Sequence, residues 1–163
     1  MNNDTAHALP LAAEHPYATL WRQAHALLEG QSNAVANAAN LSALIFNNVA
    51  DLNWAGFYFL HGDTLIVGPF QGQPACVEIP MGSGVCGTSA ANNETLRVAD
   101  VHQFDGHIAC DAASQSEIVV PLVDDTGVYG VLDIDSPKMA RFTAVDQEGF
   151  EALAALYTQT RKA

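Results

Sequence analysis

Three cysteines, Cys76, Cys86 and Cys110, are the residues of this chain best suited to covalent chemistry. A thiolate is a nucleophile, and it oxidises reversibly to a sulfenic acid and then to a disulfide. The chain has no Cys-x-x-Cys pair, and spacings of 10 and 24 residues do not match a structural zinc pattern. An odd count argues against a disulfide framework of the secreted kind. The plain alternative is three inert core thiols. Cys86 follows Gly84 at an expected helix start, where the helix dipole stabilises a thiolate, so local electrostatics favours it as the nucleophile. Cys110 stands beside Asp111, whose charge by itself raises a thiol pKa. Local reasoning therefore leaves the reactive thiol open.

A second group of residues sits on expected strands. Side chains alternate along a strand, so Asp133 and Asp135 share a face, about 7 Å apart. Aspartate is disfavoured in strands, so two on one face are either solvated at a strand end or gathered around a ligand. Tyr129 and Val131 are expected on the same face, which makes it partly apolar and favours a pocket. Trp54, Gly56 and Tyr58 likewise share a face. The missing side chain at Gly56 reads either as ordinary packing or as a slot between two rings. A sulfur-bearing group suits such a slot, because sulfur–aromatic contacts contribute about 0.3–1.5 kcal/mol. His102 and His107 are five residues apart in an expected loop, where solvated histidines are commoner than ligands. No metal site and no bound cofactor are expected.

The elements that must hold these residues follow from periodicity. Tyr17, Leu20, Trp21, Ala24, Leu27 and Leu28 recur at helical spacing, and Gly30 offers a stop. Ser32 is a candidate cap for a second helix running to about Val49. Residues 53–60 and 64–70 flank His61-Gly62-Asp63 as a hairpin, and 75–80 is a third strand. Gly82, Gly84 and Gly87 surround a turn into a short helix over 85–91. The stretch 99–116 is polar and aperiodic, a loop of the length that usually carries function. Strands follow over 117–123 and 128–135. Thr143 with Asp146 then resembles a capping box opening a last helix. Helices bracketing hairpin-linked strands predict an α+β fold with a central antiparallel sheet. Residues 1–15 read as a flexible tail and 16–163 as a single domain.

Composition narrows the partners. Hydrophobic residues make up 49% of the 163 and charged residues 15%, a balance suited to one packed domain. Six Lys and Arg face eighteen Asp and Glu, for a formal net charge of -12, and no Lys or Arg falls between Arg22 and Arg97. Nucleic acid and anionic membrane surfaces both need basic contacts, so neither is an expected partner. The acidity reads as solubility, or as a site preferring a cationic ligand group. The first dozen residues do not resemble a secretory signal, and a cytoplasmic location is expected.

The motifs W-A-G-F-Y (54–58), G-P-F-Q-G (68–72), G-V-C-G (84–87), F-D-G-H-I-A-C-D-A-A-S (104–114), S-E-I-V (116–119) and G-V-L-D-I-D-S (130–136), in this order, resemble the free methionine-(R)-sulfoxide reductase family. The resemblance spans roughly residues 17 to 160. It implies a GAF-like fold, about six antiparallel strands sandwiched between helix layers. It implies Cys110 as the cysteine that attacks the sulfoxide, Cys76 as the resolving cysteine, and Cys86 in a lesser or backup role. Glu117, Asp133 and Asp135 match substrate-binding carboxylates, with Glu117 and Asp135 counted among the catalytic residues, and Trp54 and Tyr58 match an aromatic wall. Thioredoxin is the implied electron donor, and similar domains often pair as homodimers. A non-catalytic GAF module binding a small ligand, or a thiol redox sensor, is the alternative.

Turn chemistry bears on the carboxylates. A four-residue loop from Asp124 to Gly127, or a two-residue loop Asp125-Thr126, would put Glu117 opposite Ile134, on the wrong face. A three-residue loop, Asp125-Thr126-Gly127, with a glycine bulge pairs Glu117 with Asp135 and gathers the three acids. The expected register is therefore Glu117 opposite Asp135, with Gly127 at positive φ and at least one acid titrating well above its ordinary value.

Overall fold

The computed structural model describes residues 9–161. Two helices lead, α1 (Ala18–Leu28) and α2 (Ala34–Asn48). Then come strands β1 (Trp54–His61), β2 (Thr64–Gly72) and β3 (Glu78–Pro80), helix α3 (Gly84–Asn92) and strand β4 (Leu96–Val98). A one-turn 3-10 helix (Val101–Gln103), strands β5 (Ser116–Asp124) and β6 (Gly127–Ser136) and helix α4 (Ala144–Thr160) complete the chain. The six strands form one antiparallel sheet in the order β3-β2-β1-β6-β5-β4. The expected α+β sheet between helix layers is what the chain forms.

Each face of the sheet has its own apolar cluster. Ala55, Phe57, Ile118, Val120, Leu132 and Ile134 pack against α1, α2 and α4 through Trp21, Leu41, Ile45, Phe150, Leu153 and Tyr157. The opposite face is covered by α3 and the irregular stretch around it, with Trp54, Tyr58, Ile79, Val85, Val119 and Val131 in the cluster. The alternation of strand side chains separates the two sets, Ala55 from Trp54 and Leu132 from Val131. The capping box at α4 forms in full: Thr143 and Asp146 each bond the other's backbone N–H. Gly30 at φ +72 ends α1, as its position implied.

Some elements differ from the sequence reading. Asn33, not Ser32, caps α2, its side chain accepting from the Ala36 N–H. The third strand is three residues, 78–80; residues 75–77 precede it as irregular backbone held to β2 by the Val67 N–H on the Val77 carbonyl, with Ala75 at the pocket. β4 falls in residues 92–98, to which the sequence reading gave no element; it is an edge strand of three residues, too short to show a period. The expected tail over 1–15 lies outside the described residues for 1–8, and over 9–15 Leu9 and Leu11 rest partly buried against the helix-side core. Among the described residues no helix is long and apolar enough to cross a membrane.

Candidate active site

The three central strands build the site floor by register. Trp54 on β1 lies opposite Asp135 on β6, and Asp135 lies opposite Glu117 on β5. One pleat along, Gly56 faces Asp133, and Asp133 faces Val119. The expected pairing of Glu117 with Asp135 is therefore present, and Gly127 has φ +116. The device that sets the register is different. The loop is the two-residue Asp125-Thr126, and the extra residue is absorbed farther along, where Val123 pairs with Val128 but Leu122 pairs with Gly130. That bulge turns Tyr129 to the helix side, where its hydroxyl pairs with Thr158 and Arg161 lies over its ring at 3.7 Å. Tyr129 thus leaves the carboxylate face on which it was expected; Val131 stays.

Gly56 also plays another part than a ligand slot. A Cβ there would sit 2.3 Å from Phe70 Cβ and 2.8 Å from Phe70 Cα. The bare position admits Phe70 of β2, whose ring stacks on Trp54 at 5.0 Å. Trp54 and Tyr58 stack on each other and line the pocket, ring centroids 5.8 Å apart. Both also hold the segment that bears Cys76: Trp54 Nε1–H donates to the Gln73 carbonyl, and the Tyr58 hydroxyl donates to the Cys76 carbonyl at 3.1 Å.

Cys76 and Cys110 are joined in a disulfide, with Cα atoms 5.3 Å apart, although 34 residues separate them. The loop bearing Cys110 is fastened from beneath. Asn53 Nδ2–H donates to Asp111 Oδ2 and to Ser114 Oγ, both at 3.0 Å. Ile108 closes over the start of α3, where Gly84 at φ +61 leaves room for it. The resulting pocket is lined by Trp54, Tyr58, Cys86, His107, Cys110, Glu117, Asp133 and Asp135 among others, with no Lys or Arg.

Cys86 sits in the first turn of α3, buried, with its Sγ 3.8 Å from Glu117 Oε1. The dipole argument that favoured it as a thiolate fails here. Burial pushes the thiol well above its ordinary value, and the charges of Asp133, Glu117 and Asp135 push it further. Those acids are 31 or more residues away in sequence, so nothing local revealed them.

The three acids are buried, Glu117 and Asp133 at 6% exposure and Asp135 at 9%. Burial raises all three pKa values. For Glu117 the charges of Asp133 and Asp135 add to it, and a hydrogen bond to Asp133 favours the protonated form. For Asp135 the charges of Asp133 and Asp111 add, against a bond from Ser114. For Asp133, bonds from Glu117, Cys86 and the Ile134 N–H oppose the rise. A carboxylic acid available as a proton donor near neutrality is the chemical result.

A stability consequence follows. The unfolded chain releases these protons near pH 4, and the folded chain releases them only at higher pH. Between those values the fold binds more protons, so their stabilising effect is lost as pH rises through the folded values. Urea unfolding of Glu117→Gln/Asp133→Asn/Asp135→Asn is expected to match the parent near pH 4. Near pH 7 it is expected to exceed the parent by on the order of 1 kcal/mol or more. A triple variant that is less stable at both pH values would contradict this.

Residues 35–160 match the GAF domain family. The free methionine-R-sulfoxide reductase of Escherichia coli is 56% identical over 139 residues, covering 85% of this chain and 84% of the relative. The chain belongs to the free methionine-R-sulfoxide reductase family. The Saccharomyces cerevisiae protein of the same name is 46% identical over 142 residues, with 82% and 79% covered. The solved structure of the Staphylococcus aureus fRMsr in complex with its substrate superposes with TM-score 0.86 at 49% identity, covering 90% of this chain and 96% of that one.

Membership of this reductase family accounts for the residues that converge here. All those named from the motifs, Trp54, Tyr58, Cys76, Cys86, Cys110, Glu117, Asp133 and Asp135, line the one pocket, apart from Cys76, which bridges to it through Cys110. His107 was read as a surface histidine; it lines the pocket, its Nε2 4.0 Å from Glu117 Oε2. Burial, then the charge of His102, holds it below its ordinary pKa. Asn53, Ser114 and Phe70 were also missed. Asn53 and Ser114 lie within or beside the quoted motifs, and only the strand register shows what they touch.

Proposed function

We propose that this chain reduces free methionine-(R)-sulfoxide to methionine with its own cysteines, and that thioredoxin returns it to the dithiol form. The observation that carries the reading is a disulfide between two loops, set beside three buried acids and an aromatic wall in one pocket. Cys110, as thiolate, attacks the sulfoxide sulfur while a buried carboxylic acid, Glu117 or Asp135, protonates its oxygen. Methionine leaves and Cys110 is left as a sulfenic acid. Cys76 displaces water from that sulfenic acid, forming the disulfide. A dithiol at about -270 mV then reduces it. Both disulfide cysteines are partly exposed, with Val77 and Ala109 exposed beside them, so an external thiolate has a path to sulfur.

Specificity for the free amino acid follows from charge. A pocket lined by three acids and no Lys or Arg favours an α-ammonium, which a peptide-bound residue lacks. No bound cofactor is required by these steps. A cytoplasmic site of action and a homodimer belong to the same proposal; sedimentation reads the latter.

A coupled assay with thioredoxin, thioredoxin reductase and NADPH is expected to turn over the free R epimer. It is expected to show little activity with the S epimer, and at least about tenfold less with the N-acetylated R epimer. Equal rates with and without the acetyl group would remove the ammonium argument.

A further inference from the structure

The Cys86 thiol has no step in the proposed reaction, yet it lies among donors of a particular kind. Cys86 Sγ and carboxylate oxygens of Glu117 and Asp133 all lie within 4.8 Å of one another. From these atoms we infer that Cys86, Glu117 and Asp133 form a site for one thiophilic divalent cation, of the Zn2+ or Cd2+ class, in the floor of the pocket.

Two observations point to a ligand there. The donor set joins a sulfur to two carboxylates, and a tetrahedral ion with bonds of about 2.0–2.3 Å needs its ligand atoms roughly 3.5 Å apart. Small side-chain rotations close the difference. Independently, Asp133 Oδ1 is buried without a hydrogen-bond partner, on a residue 6% exposed that lines the cavity. A buried carboxylate oxygen left without a donor is costly, and a cation would satisfy it. His107 Nε2, 4.0 Å from Glu117 Oε2, lies outside this set of three, so the fourth position is open. No Lys or Arg in the lining competes for the acids. The site overlaps the pocket proposed above for the sulfoxide, so on that reading a bound cation excludes substrate.

The disulfide form tests the site apart from activity, because Cys86 is then the only thiol in the chain. CdCl2 is titrated into this form in a non-coordinating buffer, with the thiolate-to-Cd2+ ultraviolet band recorded and bound Cd2+ counted by equilibrium dialysis. One Cd2+ per chain at micromolar concentration is expected, with the band lost in Cys86→Ser. Asp133→Asn, which keeps the thiol and the side-chain shape, is expected to weaken binding at least about tenfold. Absence of the band at millimolar Cd2+ would overturn the proposal. So would an Asp133→Asn variant that binds as tightly as the parent, since the thiol would then bind alone.

Discussion

Cys110→Ser is expected to abolish reduction of the sulfoxide, in single as well as repeated turnover. A serine hydroxyl does not ionise near neutral pH and forms no sulfenic acid, so both the attack and the oxygen acceptance are lost. Cys76→Ser is expected to behave differently: about one methionine per chain in a single turnover, then arrest, because the sulfenic acid on Cys110 has lost its partner. Cys86→Ser separates two lines of argument. The helix start favoured Cys86 as nucleophile, but burial and three acids hold its proton in place. Its loss is therefore expected to leave the first methionine intact. Quantifying methionine released per chain from pre-reduced variants reads all three. A silent Cys86→Ser with an active Cys110→Ser would reverse the assignment.

The second large effect concerns the acids. Glu117→Gln and Asp135→Asn are each expected to lower kcat/KM by on the order of 10²–10³-fold, the range of a lost general acid or a lost charge contact. Their partition is informative. Loss of the proton donor lowers kcat, whereas loss of the ammonium partner raises KM for the free amino acid and spares the N-acetylated one. Both residues lie on central strands whose pairing is set by backbone hydrogen bonds, so the amide variants keep the frame. Their neutral pH stability is expected to rise rather than fall. Steady-state kinetics on both substrates at fixed pH checks this, and a variant within twofold of the parent in both parameters would remove its residue from the chemistry.

Much of this site was legible where a local rule governed it. The glycine after Asp125-Thr126 signalled an irregular hairpin, and the Glu117–Asp135 pairing followed from asking which turn places both acids on one face. The bulge itself formed two residues away from the expected place: β6 absorbs the extra residue at Tyr129, whose ring meets the Thr158 hydroxyl on α4 and the Arg161 guanidinium just past it. The capping box of α4 was legible for the same reason: its two residues are three apart and each bonds the other's backbone N–H, although Asp146 also accepts from the distant Tyr17 hydroxyl and from Arg141, which the sequence did not show. What local rules missed depended on distant partners. Gly56 is bare because Phe70, on the next strand, needs the space. The thiol chemistry of Cys86 is set by burial and by acids on β5 and β6, and His107 lines the pocket from a loop whose following turn Asn53 ties down. β4 was missed because three residues carry no readable alternation. The joining of Cys76 to Cys110 came from motif resemblance, as neither spacing nor local charge selects that pair.

The central claim is that one sulfoxide molecule converts one dithiol pair into the Cys76–Cys110 disulfide. Fully reduced protein, mixed with excess free methionine-(R)-sulfoxide and no reductant, is the direct test. Released methionine and remaining thiols are counted on the same samples, and the oxidised chain is mapped by proteolysis and mass spectrometry without reduction. The account requires one methionine formed and two thiols lost per chain, with a Cys76–Cys110 peptide and Cys86 still free. A disulfide that includes Cys86, or thiols lost without methionine appearing, would contradict it.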